Sequence, residues 1–95
     1  MYHVIDAQFD LGLRYYNSNG VAQNHAKAIE WYSKAAKQEH AGALNNLGVL
    51  KANGYPVEFI HIGSKVLFGS KEFYEKACQL GNQKGCDNYK SYRGW

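Results

Sequence analysis

Apolar residues recur at helical intervals from the start of the chain. Ala7, Leu11 and Tyr15 stand at i, i+4 and i+8, with Gly12 beside Leu11, which makes one stripe of a helix. Asn17-Ser18-Asn19-Gly20 closes that stripe, because Asn and Gly tolerate the left-handed backbone that ends helices. Asn24 reads as the N-cap of a second helix over about 24–38, with Ala28, Ile29, Tyr32, Ala35 and Ala36 turned inward. The same scheme predicts helices over about 41–53, 71–80 and 83–93. The last of these has no partner helix after it.

The chain also repeats itself. Ala7, Leu11 and Gly12 return as Ala43, Leu47 and Gly48, 36 residues on. Trp31, Tyr32, Lys34, Ala35 and Ala36 return as Phe73, Tyr74, Lys76, Ala77 and Cys78, 42 residues on. The second unit therefore carries a net insertion between its halves. Periods of this size signal a solenoid of stacked supersecondary units. Gly12 and Gly48 occupy equivalent helical places, and a helical glycine costs on the order of 1 kcal/mol against alanine. Close backbone approach, with Leu11, Leu47, Tyr32 and Tyr74 filling the space around it, is the expected compensation.

Ala7, Leu11, Gly12, Tyr15, Gly20-Val21, Lys27-Ala28, Trp31-Tyr32 and Lys34-Ala35-Ala36 together resemble a Sel-one-like repeat, an α/α unit related to tetratricopeptide repeats. The resemblance implies an all-α fold, a short α/α solenoid of about two and a half repeats. The chain then divides as a single domain over 1–95, with repeat one at about 7–42, repeat two at about 43–84 and a partial third at about 85–95. The second unit departs in its middle, where Lys51 replaces the usual tyrosine. In the third, Tyr89 and Lys90 stand where leucine and glycine belong.

Residues 54–70, GYPVEFIHIGSKVLFGS, interrupt the second unit. Tyr55-Pro56 disfavours continuing the helix before it, and Val57, Phe59, Ile60, Ile62, Val66, Leu67 and Phe68 are too apolar for a free loop. An irregular insert is expected. Two compatible readings stay open: an Ω-like segment packed across the end of the solenoid, and a partner-binding excursion from a regular scaffold.

Composition narrows the function classes. Hydrophobic residues make up 45% of the 95 and charged residues 20%, a globular balance rather than a disordered one. The net charge of +3 comes without any run of Lys or Arg, which argues against a nucleic-acid groove. No apolar stretch approaches the length of a membrane span. MYHVIDAQFD lacks a charged segment followed by an apolar one, so a cytoplasmic location is expected, or a periplasmic or secreted one if the numbering omits a signal peptide.

Chemistry-bearing motifs are sparse. His3, His25, His40 and His61 form no HExxH or HxH pattern, so no metal is expected. His25 and His40 fall near helix ends, where capping or surface roles are the default, and His61 is the one to test. Gly63-Ser64-Lys65 fails the phosphate-loop pattern, which would require glycine at Phe68. Glu30, Glu39, Glu58, Glu72 and Glu75 are scattered. No cofactor and no enzymatic activity are expected.

Cys78 and Cys86 flank a tight interhelical turn. The segment is similar to the secreted cysteine-rich subset of Sel-one-like proteins, of Helicobacter type, in which such a pair is a disulfide. In an oxidising compartment the two bridge; in the cytosol they stay reduced as small apolar residues. The subset resemblance implies a β-lactam-binding or hydrolysing protein as an alternative function.

The main expectation is a non-enzymatic protein–protein interaction module. In a solenoid the first helix of each unit lines the concave side. There the stripe Phe9, Leu13 and Tyr16 corresponds in register to Asn45, Val49 and Ala52 in the second unit. Phe9, Leu13, Tyr16, Asn45 and Val49, with Phe59, His61 and Phe68 of the insert and Tyr92 and Arg93 at the C-terminal end, are the candidate partner-binding residues. Two alternatives remain: Phe9 and Leu13 pack beneath Tyr2-Val4-Ile5, and the C-terminal aromatics cap the solenoid or pair with a second copy. A bacterial immunity protein neutralising a cognate toxin, or a small adaptor, would suit a module of this size.

Overall fold

The computed structural model describes residues 4–18 and 20–92. Five helices, α1 (Val4–Asn17), α2 (His25–Ala36), α3 (Ala41–Ala52), α4 (Ser70–Gln79) and α5 (Gln83–Ser91), pack in chain order. A two-stranded antiparallel hairpin, β1 (Ile60–Ile62) and β2 (Lys65–Leu67), sits between α3 and α4. The fold is an all-α repeat array with this one small sheet.

The starts of α2, α3, α4 and α5 are satisfied locally. Asn24 Oδ1 accepts from the Lys27 N–H at 3.0 Å, and Asn82 Oδ1 from the Gly85 N–H at 2.7 Å. His40 serves α3 in the same way, its Nδ1 accepting from the Ala43 N–H at 3.0 Å. Gly69, ahead of α4, has no side chain to offer. The Glu72 carboxylate instead accepts from the N–H groups of Phe68 (2.8 Å) and Gly69 (2.9 Å). Those two donors, and more weakly the charge of Lys65, hold its carboxyl below the usual value despite some burial.

The two interhelical turns of the repeat share a backbone device. After α4, Gly81 takes φ +95° and the Asn82 N–H donates to the Ala77 carbonyl at 2.9 Å. After α2, Glu39 takes φ +63° at the register-equivalent place, and the His40 N–H donates to Ala35 at 3.2 Å. The left-handed turn that ends a helix is thus built once with glycine and once with glutamate.

Packing follows the small residues. Tyr32, fully buried, lies over Gly12 so closely that its ring atoms occupy the space a Cβ would need. Tyr74 does the same over Gly48 in the second unit. At the α4–α5 contact, a Cβ on Gly85 would lie 2.7 Å from that of Ala77. Around these contacts Ala28, Ala35, Ala36, Leu44, Leu47, Leu50 and Phe73 form one core. The disulfide Cys78–Cys86, at a sequence separation of eight, staples α5 to α4.

The insert corrects the irregular segment expected from the sequence. Ile60 and Ile62 alternate with His61, and Ile60 pairs with Leu67 across the hairpin. Ile60, Ile62, Leu67 and Val57 enter the helical core. Gly63-Ser64 makes a two-residue connection in which Gly63 alone has positive φ, the arrangement that suits a glycine-first hairpin turn. The Lys51 ammonium donates to the Val57 carbonyl at 3.3 Å, and Ser70 Oγ donates to the Gly48 carbonyl at 2.8 Å. These bonds fix where the hairpin leaves and rejoins the scaffold. The short period-two signal was overshadowed by the glycines and the run of apolar residues around it.

Candidate functional site

The first helix of each unit, α1, α3 and α5, contributes to one groove. It has a volume of about 210 Å³ and is lined by Leu13, Tyr16, Asn17, Asn46, Val49 and Lys84. Leu13 and Tyr16 are placed by the 3.6-residue spacing of α1, one turn apart on the side away from the Ala7–Leu11 stripe. Val49 and Asn46 lie one turn apart on α3. Lys84 reaches the groove from the first turn of α5, which is held by the disulfide and by the Asn88 amide donating to Asn45 Oδ1 at 2.8 Å.

Three of the sequence-predicted residues, Leu13, Tyr16 and Val49, therefore share one surface. Phe9 and Asn45 do not join them. Phe9 stacks on the His40 ring at 4.4 Å between centroids and lies 5.7 Å from that of Tyr32. It is packed against the core, a structural residue more than a free contact. Asn45 is buried, with its side-chain oxygen committed to Asn88. The expectation that Asn45 is open to a partner is corrected by this burial, whereas half-buried Phe9 follows the packing alternative, against His40 and Tyr32.

The remaining candidates lie on other surfaces. Phe59 and Phe68, 54% and 59% exposed, stand 5.7 Å apart on the outer face of the hairpin, with His61 edge-on to Phe59 at 5.4 Å. Tyr92 is half-buried and meets Tyr74 edge-on at 5.8 Å. Arg93 lies outside the described residues, as do Tyr2, His3 and Trp95. His25 sits between Tyr16 (5.3 Å) and Tyr55 (4.5 Å), continuing an aromatic row from the groove toward the insert.

Asn17, Asn46 and Lys84 line the groove and were not anticipated. The signal for Asn46 was its place immediately before Leu47-Gly48, and for Lys84 its place in the first turn of a helix with a free face. Beneath Asn46 lies the Tyr32 hydroxyl, for which burial raises the pKa, partly opposed by the Asn46 side chain and reinforced by Tyr16. A larger hollow of about 400 Å³ lies along α2 and the start of the insert, lined among others by Glu30, Glu58, Lys34 and Lys37. Its opposite charges neutralise one another and Ile29 is its largest apolar side chain, so it offers less to recognise than the groove.

Among the described residues, no group of three or more His, Cys, Asp or Glu converges as a metal set. None of the described helices is long and apolar enough to cross a membrane.

The family model of the Sel1 repeat matches residues 5–40 and 70–82, more than half of the chain. The chain belongs to the Sel1 repeat family. The unmatched stretch between the two segments contains α3 and the hairpin, so the Sel1 pattern is strongest in the first unit and in the second helix of the second. Sel1 repeats generally mediate protein–protein interaction and are typically non-enzymatic. Neither a curated protein nor a solved structure matches the chain.

Proposed function

We propose that this Sel1 repeat chain is a non-enzymatic binding module whose groove between α1, α3 and α5 receives an extended segment of a partner protein. The observation that carries the reading is the convergence of Leu13, Tyr16, Asn46, Val49 and Lys84 from three successive first helices. Apolar walls supply buried area and the amides satisfy a partner's backbone, the usual division of labour at a recognition site. Rigid helices hold these groups in place before binding, which lowers the ordering cost. The aromatic face of Phe59, His61 and Phe68 is a second candidate contact. An immunity protein that neutralises a cognate toxin is the specific form we favour, with a small adaptor next.

Capture with tagged protein from source lysate, read by mass spectrometry and followed by calorimetry, tests the reading. One stoichiometric protein partner, bound at least about tenfold more weakly by Leu13→Asp or Val49→Asp with an intact fold, supports it. Unchanged affinity in both variants removes the groove assignment, and a captured partner with toxic activity supports the immunity form.

The Cys78–Cys86 bridge favours a second reading. Cytosolic reductants oppose such a bond, so it supports a periplasmic or secreted setting over the cytoplasmic one, and with it a cysteine-rich β-lactam-binding protein. Equilibrium binding of a labelled penicillin decides: saturable binding supports this reading, and free thiols in the isolated protein with no binding eliminate it.

A further inference from the structure

Tyr32 is fully buried, yet its hydroxyl meets no hydrogen-bond partner of good geometry among the described residues. A buried phenol left unpaired is costly. Its polar neighbours include Asn46 and Tyr16, both of which line the groove. The amide of Asn46 carries two N–H donors, so it can turn one toward that hydroxyl and keep the other for the groove.

Other donors surround that position. Asn17 supplies a second amide, Tyr16 a phenol and Lys84 an ammonium. Lys84 makes none of the ion pairs found among the described residues. Among the described residues no carboxylate lines the groove; Asp87, three residues beyond Lys84, accepts from Gln83 at 3.0 Å. Among the described residues the site is thus rich in donors, with one cation and no anion. Neutral amides with a single ammonium match a monoanion, whereas a phosphate dianion calls for more positive charge. Leu13 and Val49 supply an apolar wall in the same groove.

We propose that Lys84, Asn46 and Asn17 form a carboxylate subsite that takes an aspartate or glutamate side chain of the bound partner segment, with an adjacent apolar side chain on Leu13 and Val49. This rests on the protein-binding reading above and adds the chemistry the partner must carry.

The test uses three tripeptide probes followed by ¹⁵N NMR: acetyl-Leu-Glu-Val-amide, its Gln analogue, and the Gln analogue with a free C-terminal carboxylate. The Glu peptide is expected to shift the Asn46 and Asn17 side-chain NH₂ signals saturably, with an affinity at least about fivefold above that of the Gln amide. Lys84→Met is expected to abolish that preference, while Lys37→Met, in the other hollow, leaves it intact. Lys84 is exposed, so its variant keeps the fold, which the dispersion of the same spectra verifies.

Equal binding of the Glu and Gln amides overturns the subsite, as does a preference that survives Lys84→Met or the absence of saturable shifts at the groove. Tighter binding of the free-carboxylate peptide overturns the assignment to a side chain in favour of a chain terminus. The two levels fail separately. Wild-type protein that captures no partner refutes the module; a captured partner that binds Lys84→Met as tightly as wild type refutes the subsite alone.

Discussion

The ring of Tyr74 lies over the backbone of Gly48, where a Cβ would stand 2.6 Å from Cε1 and 2.8 Å from Cδ1. Tyr74 is only 5% exposed, so its ring has little room to retreat. Gly48→Ala gains about 1 kcal/mol of helix propensity but overpacks the contact at a cost of about 1–3 kcal/mol. The net expected outcome is destabilisation, read as a lower urea midpoint, and Gly48→Val is expected to be worse. A midpoint for Gly48→Ala at or above wild type would show that the tyrosine yields freely.

Glu39 holds a left-handed backbone at the place where Gly81 stands in the second unit. A non-glycine residue there carries about 1 kcal/mol of strain. Glu39→Gly is therefore expected to raise stability by about 0.5–1 kcal/mol. The lost contact to Lys76, 3.8 Å away and at the surface, offsets little of that gain. Chemical denaturation measures it, and a loss of stability would mean that the ion pair outweighs the backbone.

The disulfide closes a short loop between α4 and α5. Loop-closure arithmetic gives about 2–3 kcal/mol for a loop of this length. Reduction, or Cys78→Ser with Cys86→Ser, is expected to lower stability by that amount and to loosen α5 before the other helices. Thermal melts with and without reductant, alongside hydrogen exchange at α5, check both statements. Equal melting temperatures would show that packing of Gly85 on Ala77 suffices.

Glu72 contributes a pH dependence of known sign. Its carboxyl sits below its ordinary value near 4.5 because it accepts from the Gly69 and Phe68 N–H groups. The stabilisation is present above the ordinary value and is lost as pH falls through the lower folded-state value. Glu72→Gln is expected to cost about 1 kcal/mol at pH 7, with the difference from wild type shrinking as the wild-type carboxylate protonates. Urea midpoints at pH 7 and pH 3 read it, and a constant difference would exclude the carboxylate's charge as the source.

The two faces of the hairpin are expected to respond differently. Ile60 and Leu67 are 1% and 0% exposed, so alanine at either costs about 2–5 kcal/mol. Phe59→Ser and Phe68→Ser alter the solvent face and are expected to stay within about 0.5 kcal/mol of wild type. Denaturation of the four variants tests this, and a large loss in the serine variants would mean that the exposed rings support the fold.

Helices and their packing were legible because spacing and small residues encode them directly. The Gly12 and Gly48 positions announced the tyrosines above them, and Asn24 announced its cap. The hairpin was harder, since three-residue strands carry too few alternations to outweigh the glycines and apolar neighbours around them. In the groove, Leu13, Tyr16 and Val49 followed from helical stripes. Phe9 shares that stripe, and periodicity could not show that His40, arriving from the next turn, would cover it. Asn45 and Asn46 are adjacent and chemically alike. Only the position of Asn88, 43 residues from Asn45, decides which of them is bonded away.

Each helix packs chiefly on those before and after it in the chain, with α3 also meeting α5. The two ends of the array are therefore unequal: α5 is covalently tied to α4, whereas α1 is held mainly by α2. With no covalent tie at α1, opening is expected to begin at that end, and amide exchange to slow from α1 toward α3 and α4. Because α1 supplies Leu13 and Tyr16, the groove has one labile wall and one fixed wall. An occupant that spans from Leu13 to Val49 bridges that seam, so binding would slow exchange in a helix well beyond the residues it touches.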